Sequence, residues 1–160
     1  MNIKIIGIGN TLMEDDGIGV YAAERIKKKI SNKKDIEVIA GETDFEYCIS
    51  KINEGDFIFI LDASYYGKNP SELTVFKLKD YRPKKSYITQ HSLSLIDMLH
   101  LYYKNVQGYI IGIEIGRIDY KIGMSSELKS RFDRICDDIL KFIFLKIDCK
   151  CKGEGMKLGY

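Results

Sequence analysis

The sequence predicts an α/β fold, a three-layer sandwich in which a twisted, mostly parallel or mixed sheet of about five strands has helices on both faces. Two observations support this prediction. Apolar runs of strand length alternate along the chain with apolar residues at helical spacing. The chain has 160 residues, of which 45% are hydrophobic, and this is enough to bury one substantial core.

Each predicted element follows from its own local pattern. The strand over 3–8 is a continuous apolar run interrupted only by Lys4, as in a buried strand. The first helix carries an apolar stripe of residues four apart, namely Ile18, Ala22, Ile26 and Ile30. In chain order the elements are a strand over 3–8, a helix over 16–30, a strand over 35–40, a helix over 43–52, a strand over 57–61, a strand over 73–78, a helix over 92–103, a strand over 109–115 and a helix from Ser125 or Ser126 to about residue 147.

Polar residues mark the predicted helix starts. Thr43 is the expected N-cap of the second helix, because Glu46 stands three residues later at the spacing of a capping box. Ser92 is the expected cap of the helix over 92–103. Residues 1–147 are therefore predicted to form a single α/β domain, and the Lys- and Gly-rich residues 148–160 a mobile C-terminal tail.

Composition excludes several classes of protein. Charged residues make up 30% of the chain, but the net charge is only +2 and both signs are mixed, which argues against binding to nucleic acid. No apolar run reaches the roughly 20 residues of a membrane span, and no secretory signal is recognisable, so a cytoplasmic location is expected. The four cysteines are expected to be free thiols, with Cys48 and Cys136 in the core.

Polar groups stand next to three of the predicted elements. Asp15 and Asp16 begin the first helix, Asp62 follows the third strand, and His91 precedes a helix. Each has an ordinary structural explanation. Acids stabilise helix N-termini, Asp62 could cap the next loop through Ser64, and a lone histidine is more often structural than a ligand. Because strands of such a sheet end at one edge, the acids and the imidazole together are also suited to a borderline divalent metal.

The glycines at the end of the first strand invite a comparison with dinucleotide-binding loops. The motif begins correctly with Gly7 and Gly9, but Leu12 replaces its third glycine and Ala40 replaces its ribose-binding acid. Glycine also destabilises a helix by roughly 0.5–1 kcal/mol relative to alanine. The glycines at positions 17 and 19 therefore predict that another part of the backbone comes close to the first helix.

Nucleophilic catalysis lacks a recognisable motif in this sequence. None of the serines at 64, 92 and 94 lies in a Gly-x-Ser-x-Gly elbow. No cysteine stands near a histidine in a known catalytic pattern, and the paired Asp-Thr-Gly motifs of aspartic proteases are missing.

Five motifs together resemble those of the hydrogenase maturation proteases. Residues 7–20 run Gly-Ile-Gly-Asn-Thr-Leu-Met-Glu-Asp-Asp-Gly-Ile-Gly-Val, and Leu-Asp-Ala at 61–63, Gln-His-Ser-Leu-Ser-Leu at 90–95, Gly-Ile-Glu at 112–114 and Gly-Met-Ser at 123–125 follow in the family's order. Proteins of this family are endopeptidases that trim the C-terminal tail of the large subunit of nickel–iron hydrogenases. The resemblance covers roughly residues 1–145.

The resemblance implies a fold and a set of site residues. The fold is of the phosphorylase/hydrolase-like kind, and Asp16, Asp62 and His91 would coordinate a nickel ion that belongs to the immature substrate, with no organic cofactor. The residues expected to shape the cleft are Gly7, Gly9, Asn10, Gly41 and Thr43. Where many members carry an acid, this chain has Ala40, and Glu42 is the nearest candidate to replace it.

The expected partner is the nickel-loaded, immature large subunit of a nickel–iron hydrogenase, met transiently by a monomer. Neither nucleic acid nor a membrane is an expected partner. Two assignments for the chemistry stay open at this point: the metal polarises the peptide or activates water, or one Asp acts as a general base. Two other functions also stay open, a non-catalytic chaperone that checks the immature subunit and a small nucleotide-binding protein.

Overall fold

The computed structural model describes residues 2–81 and 90–155, and it describes side chains for residues 2–81 and 95–151. The strands in this part of the chain are β1 (Ile3–Ile8), β2 (Ile36–Glu42), β3 (Phe57–Ser64), β4 (Leu73–Lys77) and β5 (Gln107–Glu114). The helices are α1 (Ile18–Lys29), α2 (Phe45–Ser50), α3 (Gln90–Tyr102) and α4 (Ser126–Gly155). A 3-10 turn over Glu14–Gly17, named the acidic turn below, precedes α1.

The strands form one mixed sheet in the order β2-β1-β3-β5-β4. β1 lies parallel to β2 and β3, β3 lies parallel to β5, and β4 is antiparallel to β5 at the edge. The predicted mixed sheet with helices on both faces is confirmed. The chain leaves β1 toward β2 on one side and returns to β3 on the other, so the topological switch point lies between β1 and β3. In open α/β sheets, ligands bind outside the carboxyl ends of strands at this point.

Each face of the sheet buries apolar side chains against a different pair of helices. On one face, Phe59 packs in a cluster with Ile26 of α1 and Ile139 of α4. On the other face, Ile60 packs in a cluster with Leu99 of α3 and with Cys48 of α2. These two cores are the three-layer arrangement that the alternating pattern predicted.

β3 and α4 extend well beyond their predicted ends. β3 continues to Ser64 because β5 pairs with it as far as Glu114, and Asp62 therefore lies inside the strand. α4 continues to Gly155, so the segment expected to be a tail from residue 148 is helical up to that point; residues 156–160 lie outside the described residues. Although α4 is 30 residues long, none of the helices in the described ranges is both long and apolar enough to cross a bilayer.

The cap of α2 differs from the predicted one. Asp44, and not Thr43, occupies the N-cap position, where its Oδ1 accepts a hydrogen bond from Tyr47 N at 2.9 Å. The capping-box assignment was therefore wrong by one residue. The helix begins at Phe45, because the carboxylate of Asp44 reaches the free backbone amide in the first turn.

The start of α1 packs directly on the backbone of two strands. A Cβ atom built on Gly19 would lie 2.3 Å from the carbonyl oxygen of Leu61 and 2.5 Å from that of Ile8. A Cβ atom on Gly7 would lie 2.3 Å from the carbonyl oxygen of Gly19. The predicted close approach of another backbone is confirmed, and it fixes the first turn of α1 between β1 and β3.

The amino end of α4 is capped by a residue far away in the sequence. Asp15 of the acidic turn accepts a hydrogen bond at Oδ1 from Ser125 N at 2.7 Å, and its side chain is buried. Its other oxygen, Oδ2, has no hydrogen-bond partner among the residues that the structure describes. The Ser125 hydroxyl in turn accepts from Leu128 N at 3.4 Å. An acid of this pair therefore stabilises a helix start, as the sequence suggested. Asp15 does so at α4, however, and not at α1.

We expect Gly19→Ala to lower the free energy of unfolding by about 2 kcal/mol, because the new methyl group would overlap backbone that side-chain rotation cannot move. Chemical denaturation monitored by circular dichroism measures this loss. Glu24→Ala on the exposed face of α1 is the control and should change stability by a few tenths of a kcal/mol. Equal stabilities for the two variants would contradict the close contact at Gly19.

We expect Asp15→Ala to lower the free energy of unfolding by about 1–2 kcal/mol, because the first turn of α4 loses its acceptor. Asp15→Asn retains an oxygen at the position of Oδ1 and should lose less. The same denaturation experiment compares the two variants. A loss for Asn as large as that for Ala would show that the retained oxygen does not stabilise the start of α4.

Candidate active site

The acidic turn places Asp16 directly above the end of β1. The carboxylate of Asp16 accepts a hydrogen bond at Oδ2 from Asn10 N at 3.0 Å, and the residue is 5% exposed. Gly9 adopts a φ of +136°, and a Cβ there would lie 2.1 Å from the carbonyl oxygen of Asp16. The Asn10 side chain completes the turn by accepting from Leu12 N at 3.0 Å. Gly9 and Asn10 thus shape this end of the strand, as predicted.

Asp62 lies near the carboxyl end of β3 and is 1% exposed. Its neighbours Leu61 and Ala63 belong to the core against α1 and α4, so alternation along the strand directs Asp62 to the side of α2 and α3. Its Oδ1 accepts from Ala63 N at 2.8 Å. The explanation of Asp62 as a loop cap acting through Ser64 is wrong, because Asp62 is part of the strand and the hydroxyl of Ser64 donates to Glu114 instead.

Packing brings the two carboxylates to the same edge of the sheet. Gly19, three residues after Asp16, lies against the carbonyl group of Leu61, the residue before Asp62. The charges of the two acids also affect the pKa values of two adjacent tyrosines in one loop. Burial raises the pKa of Tyr65 and of Tyr66, and negative charge raises it further, with Asp16 contributing at Tyr65 and Asp62 at Tyr66. Asp16 and Asp62 therefore border the same loop at the topological switch point.

His91 lies in the first turn of α3, which spans Gln90–Tyr102. Only residues 103–106 separate α3 from β5, and Gln107 pairs with Phe57 at the amino end of β3. The C-terminal end of α3 therefore lies at the amino ends of the parallel strands. A helix of 13 residues is about 20 Å long, so its first turn is directed toward the edge that carries the two acids. The side chain of His91 lies outside the described residues.

The predicted metal site stays a prediction. Among the side chains that the structure describes, no three His, Cys, Asp or Glu residues form a group that could hold a metal ion. The predicted triad includes His91, which that search does not cover. The two buried carboxylates have donor oxygens suited to a divalent ion, and an imidazole would move the preference toward borderline metals such as nickel.

The glycines at the end of β1 are explained by packing against α1 and the acidic turn, without a dinucleotide. The space beside Gly7 and Gly9 is filled by the carbonyl oxygens of Gly19 and Asp16. In nucleotide-binding folds the corresponding space admits the pyrophosphate. A buried carboxylate at this position would also repel phosphate, so the geometry argues against the nucleotide-binding alternative.

The end of β2 and the residue that follows it contribute backbone and packing to the cleft. Gly41 is buried, and a Cβ there would lie 2.2 Å from Cys48 Sγ, so its glycine is required for packing against α2. Glu42, the candidate replacement for an acid at Ala40, is exposed and has a φ of 49°. Its carbonyl oxygen accepts from Gly9 N at 3.0 Å. Thr43 is exposed beside it.

A buried residue that the sequence analysis did not assign to the site is Glu114, at the end of β5. Its carboxylate accepts hydrogen bonds from the backbone amides of Tyr66 and Lys68 as well as from Ser64. In the sequence, only the Gly-Ile-Glu motif pointed to Glu114, and the motif did not indicate which residues Glu114 contacts. The structure therefore adds a third buried acid beside the loop that follows Asp62.

The described cavities lie away from the two acids. A groove of about 520 Å³ opens at the amino ends of β3 and β5, where Phe57 and His100 are among its lining residues. Another cavity, of about 680 Å³, lies between the segment before β4 and α4. Neither cavity is lined by Asp16 or Asp62, so we assign the candidate site from the chemistry of its residues and from the topology of the sheet.

Comparison with known proteins shows which family this chain resembles in sequence. A model of the hydrogenase maturation protease family (HycI) matches residues 20–142. A putative hydrogenase maturation protease of Methanocaldococcus jannaschii is 29% identical over 151 residues, which cover 88% of each chain. The hydrogenase expression/formation protein HupD of Rhizobium leguminosarum bv. viciae is 34% identical over 73 residues, 46% of this chain and 36% of that protein. Five of the curated relatives that this chain matches, the HupD protein of Rhizobium leguminosarum among them, are spanned by the match over only 32–39% of their own lengths.

Solved structures share the fold. The [NiFe] hydrogenase maturation protease HybD from Thermococcus kodakarensis has a TM-score of 0.69 and 24% identity, over 89% of this chain and 99% of that one. The hydrogenase maturating endopeptidase HybD from E. coli has a TM-score of 0.71 and 19% identity, over 91% and 94% of the two chains. Since the family model matches more than half of its residues, this chain belongs to the hydrogenase maturation protease family.

Proposed function

We propose that this protein is an endopeptidase that removes a C-terminal extension from the precursor of a nickel–iron hydrogenase large subunit. Family membership supports the class of reaction and the kind of partner. The observation that carries the assignment to a site is the position of two buried carboxylates, Asp16 and Asp62, at the switch point between β1 and β3. A monomer that meets its precursor transiently suits an enzyme that must release its product.

We assign recognition of the precursor to Asp16, Asp62 and His91. Nickel already inserted in the precursor would provide a cation for these groups, so that only a loaded precursor is bound correctly. A divalent ion bound there supplies Lewis acidity toward a carbonyl group or a water molecule. Asn10 and Gly9 keep Asp16 in place. The backbone amide of Asn10 donates to the Asp16 carboxylate, and Gly9 leaves room for the backbone carbonyl of Asp16.

Hydrolysis adds one water molecule across the scissile peptide bond. The carbon–nitrogen bond breaks, the trimmed subunit receives a new carboxylate, and the released peptide receives the amine. Ser64 is unsuited to act as the nucleophile, because it is buried and its hydroxyl donates to Glu114 Oε2 at 3.1 Å. A carboxylate of the site is suited to take up the proton that the attacking water loses.

We expect Asp16→Asn to abolish removal of the extension while the protein stays folded, because the variant keeps the size of the side chain and loses its charge. The measurement is the mass of the large subunit after incubation with nickel-loaded precursor. Asp56→Asn is a matched control, because Asp56 is also 5% exposed but lies at the other end of the sheet, 3.7 Å from Lys4 Nζ. Unchanged trimming by Asp16→Asn would remove this residue from the site.

His91→Ala should likewise stop trimming, and His100→Ala on the same helix should leave it intact, since His100 lines the groove at the opposite end of the sheet. The same mass measurement compares these variants, which replace the two histidines of the chain. If the wild-type protein binds loaded precursor but never changes its mass, the non-catalytic chaperone is the correct function. If His91→Ala trims normally, His91 has no part in the site.

A further inference from the structure

Glu114 fastens the loop that follows β3. Its carboxylate, 1% exposed, accepts from Ser64 Oγ at 3.1 Å, from Tyr66 N at 2.8 and 2.9 Å and from Lys68 N at 3.0 Å. A buried charge is costly without such donors, so this set of hydrogen bonds fixes both the carboxylate and the loop backbone. Gly67, between the two amides, has a φ of +76°, which permits the turn.

The two tyrosines of this loop have different environments. Tyr66 is half-buried, its ring centroid lies 5.8 Å from that of Phe76 on β4, and its hydroxyl is hydrogen-bonded to that of Tyr81. The Tyr66 side chain therefore holds this loop against β4. Tyr65 is 38% exposed, and among the described residues it has neither a hydrogen bond for its hydroxyl nor a ring partner.

Tyr65 nevertheless stands beside the candidate active site. It directly follows β3, three residues after Asp62. Burial raises the pKa of its phenol, and the charges of Asp16, Asp15 and Glu114 raise it further. The phenol is thus within electrostatic reach of Asp16 and keeps its proton at neutral pH. An aromatic ring with a free hydroxyl on a fixed loop is suited to pack against a peptide and donate to its carbonyl group.

We propose that Tyr65 contacts the peptide segment of the precursor beside the scissile bond, and that Glu114 is the positioning residue that holds the loop over 65–68 for this contact. This inference rests on the proposed function and names a part of its substrate surface. Glu114 acts only through the loop, because its described hydrogen-bond partners are the loop amides and Ser64. Tyr65 serves binding of the peptide and has no part in breaking the bond.

The test is steady-state trimming of nickel-loaded precursor by the full-length protein and its variants. Tyr65→Ala should raise KM by about fivefold, the size of a single interface contact, with kcat and the melting temperature unchanged. Tyr65→Phe should recover most of this loss, because it restores the ring. Tyr102→Ala is the matched control, since Tyr102 is an exposed tyrosine (61%) at the C-terminal end of α3, at the opposite edge of the sheet.

Glu114→Gln tests the positioning role. It should raise KM in the same direction, because an amide nitrogen cannot accept from the loop amides. The double variant Glu114→Gln/Tyr65→Ala should be no worse in KM than the more affected single variant, since residues that act through one contact are not additive. Full additivity would show that Glu114 affects binding by another route and would overturn its role.

Equal KM values for Tyr65→Ala and Tyr102→Ala would overturn the inference and leave the proposed function standing, because the wild type would still trim. Failure of the wild type to trim loaded precursor would overturn the proposed function and this inference with it. If Glu114→Gln unfolds at the assay temperature, the comparison of Tyr65→Ala with Tyr65→Phe still decides whether the tyrosine contacts the peptide.

Discussion

The contact of α1 with the backbones of β1 and β3 is the constraint on which the candidate site depends. At Gly19 the helix meets the carbonyl groups of Ile8 and Leu61 with no space for a side chain. The acidic turn that precedes α1 is therefore held over the switch point, and Asp16 comes to the edge of the sheet near which Asp62 lies in β3. A bulkier residue at position 19 would move the helix start, and the acid with it.

Local patterns in the sequence were sufficient to predict the strands and helices and the close approach of backbone to the start of α1. Apolar runs and helical spacing indicated the five strands and four helices that the described part of the chain contains, and glycines near the start of α1 indicated a close backbone approach. Asp16 and Asp62 could be selected because motifs in the right order resembled those of a known family. For His91 the structure supports the position in α3 but describes no side chain, so its role rests on the resemblance.

Contacts between distant residues could not be predicted in this way. Asp15 caps a helix 110 residues further along the chain, and Glu114 binds Ser64 across 50 residues. Neither contact leaves a periodic signal, since each depends on which strands become neighbours. Boundaries were also missed where a neighbour decides them: β3 is extended by its pairing with β5, and Asp44 takes the cap that Thr43 was expected to provide.

We propose that Asp16 and Asp62, together with His91, bind one divalent ion at the switch point. The most direct measurement is a crystal structure of the protein soaked with nickel or cadmium, with the ion located by its anomalous scattering. We expect one ion with ligand atoms of all three side chains at about 2.0–2.3 Å. An ion bound elsewhere, or carboxylates too far apart to share one, would contradict it.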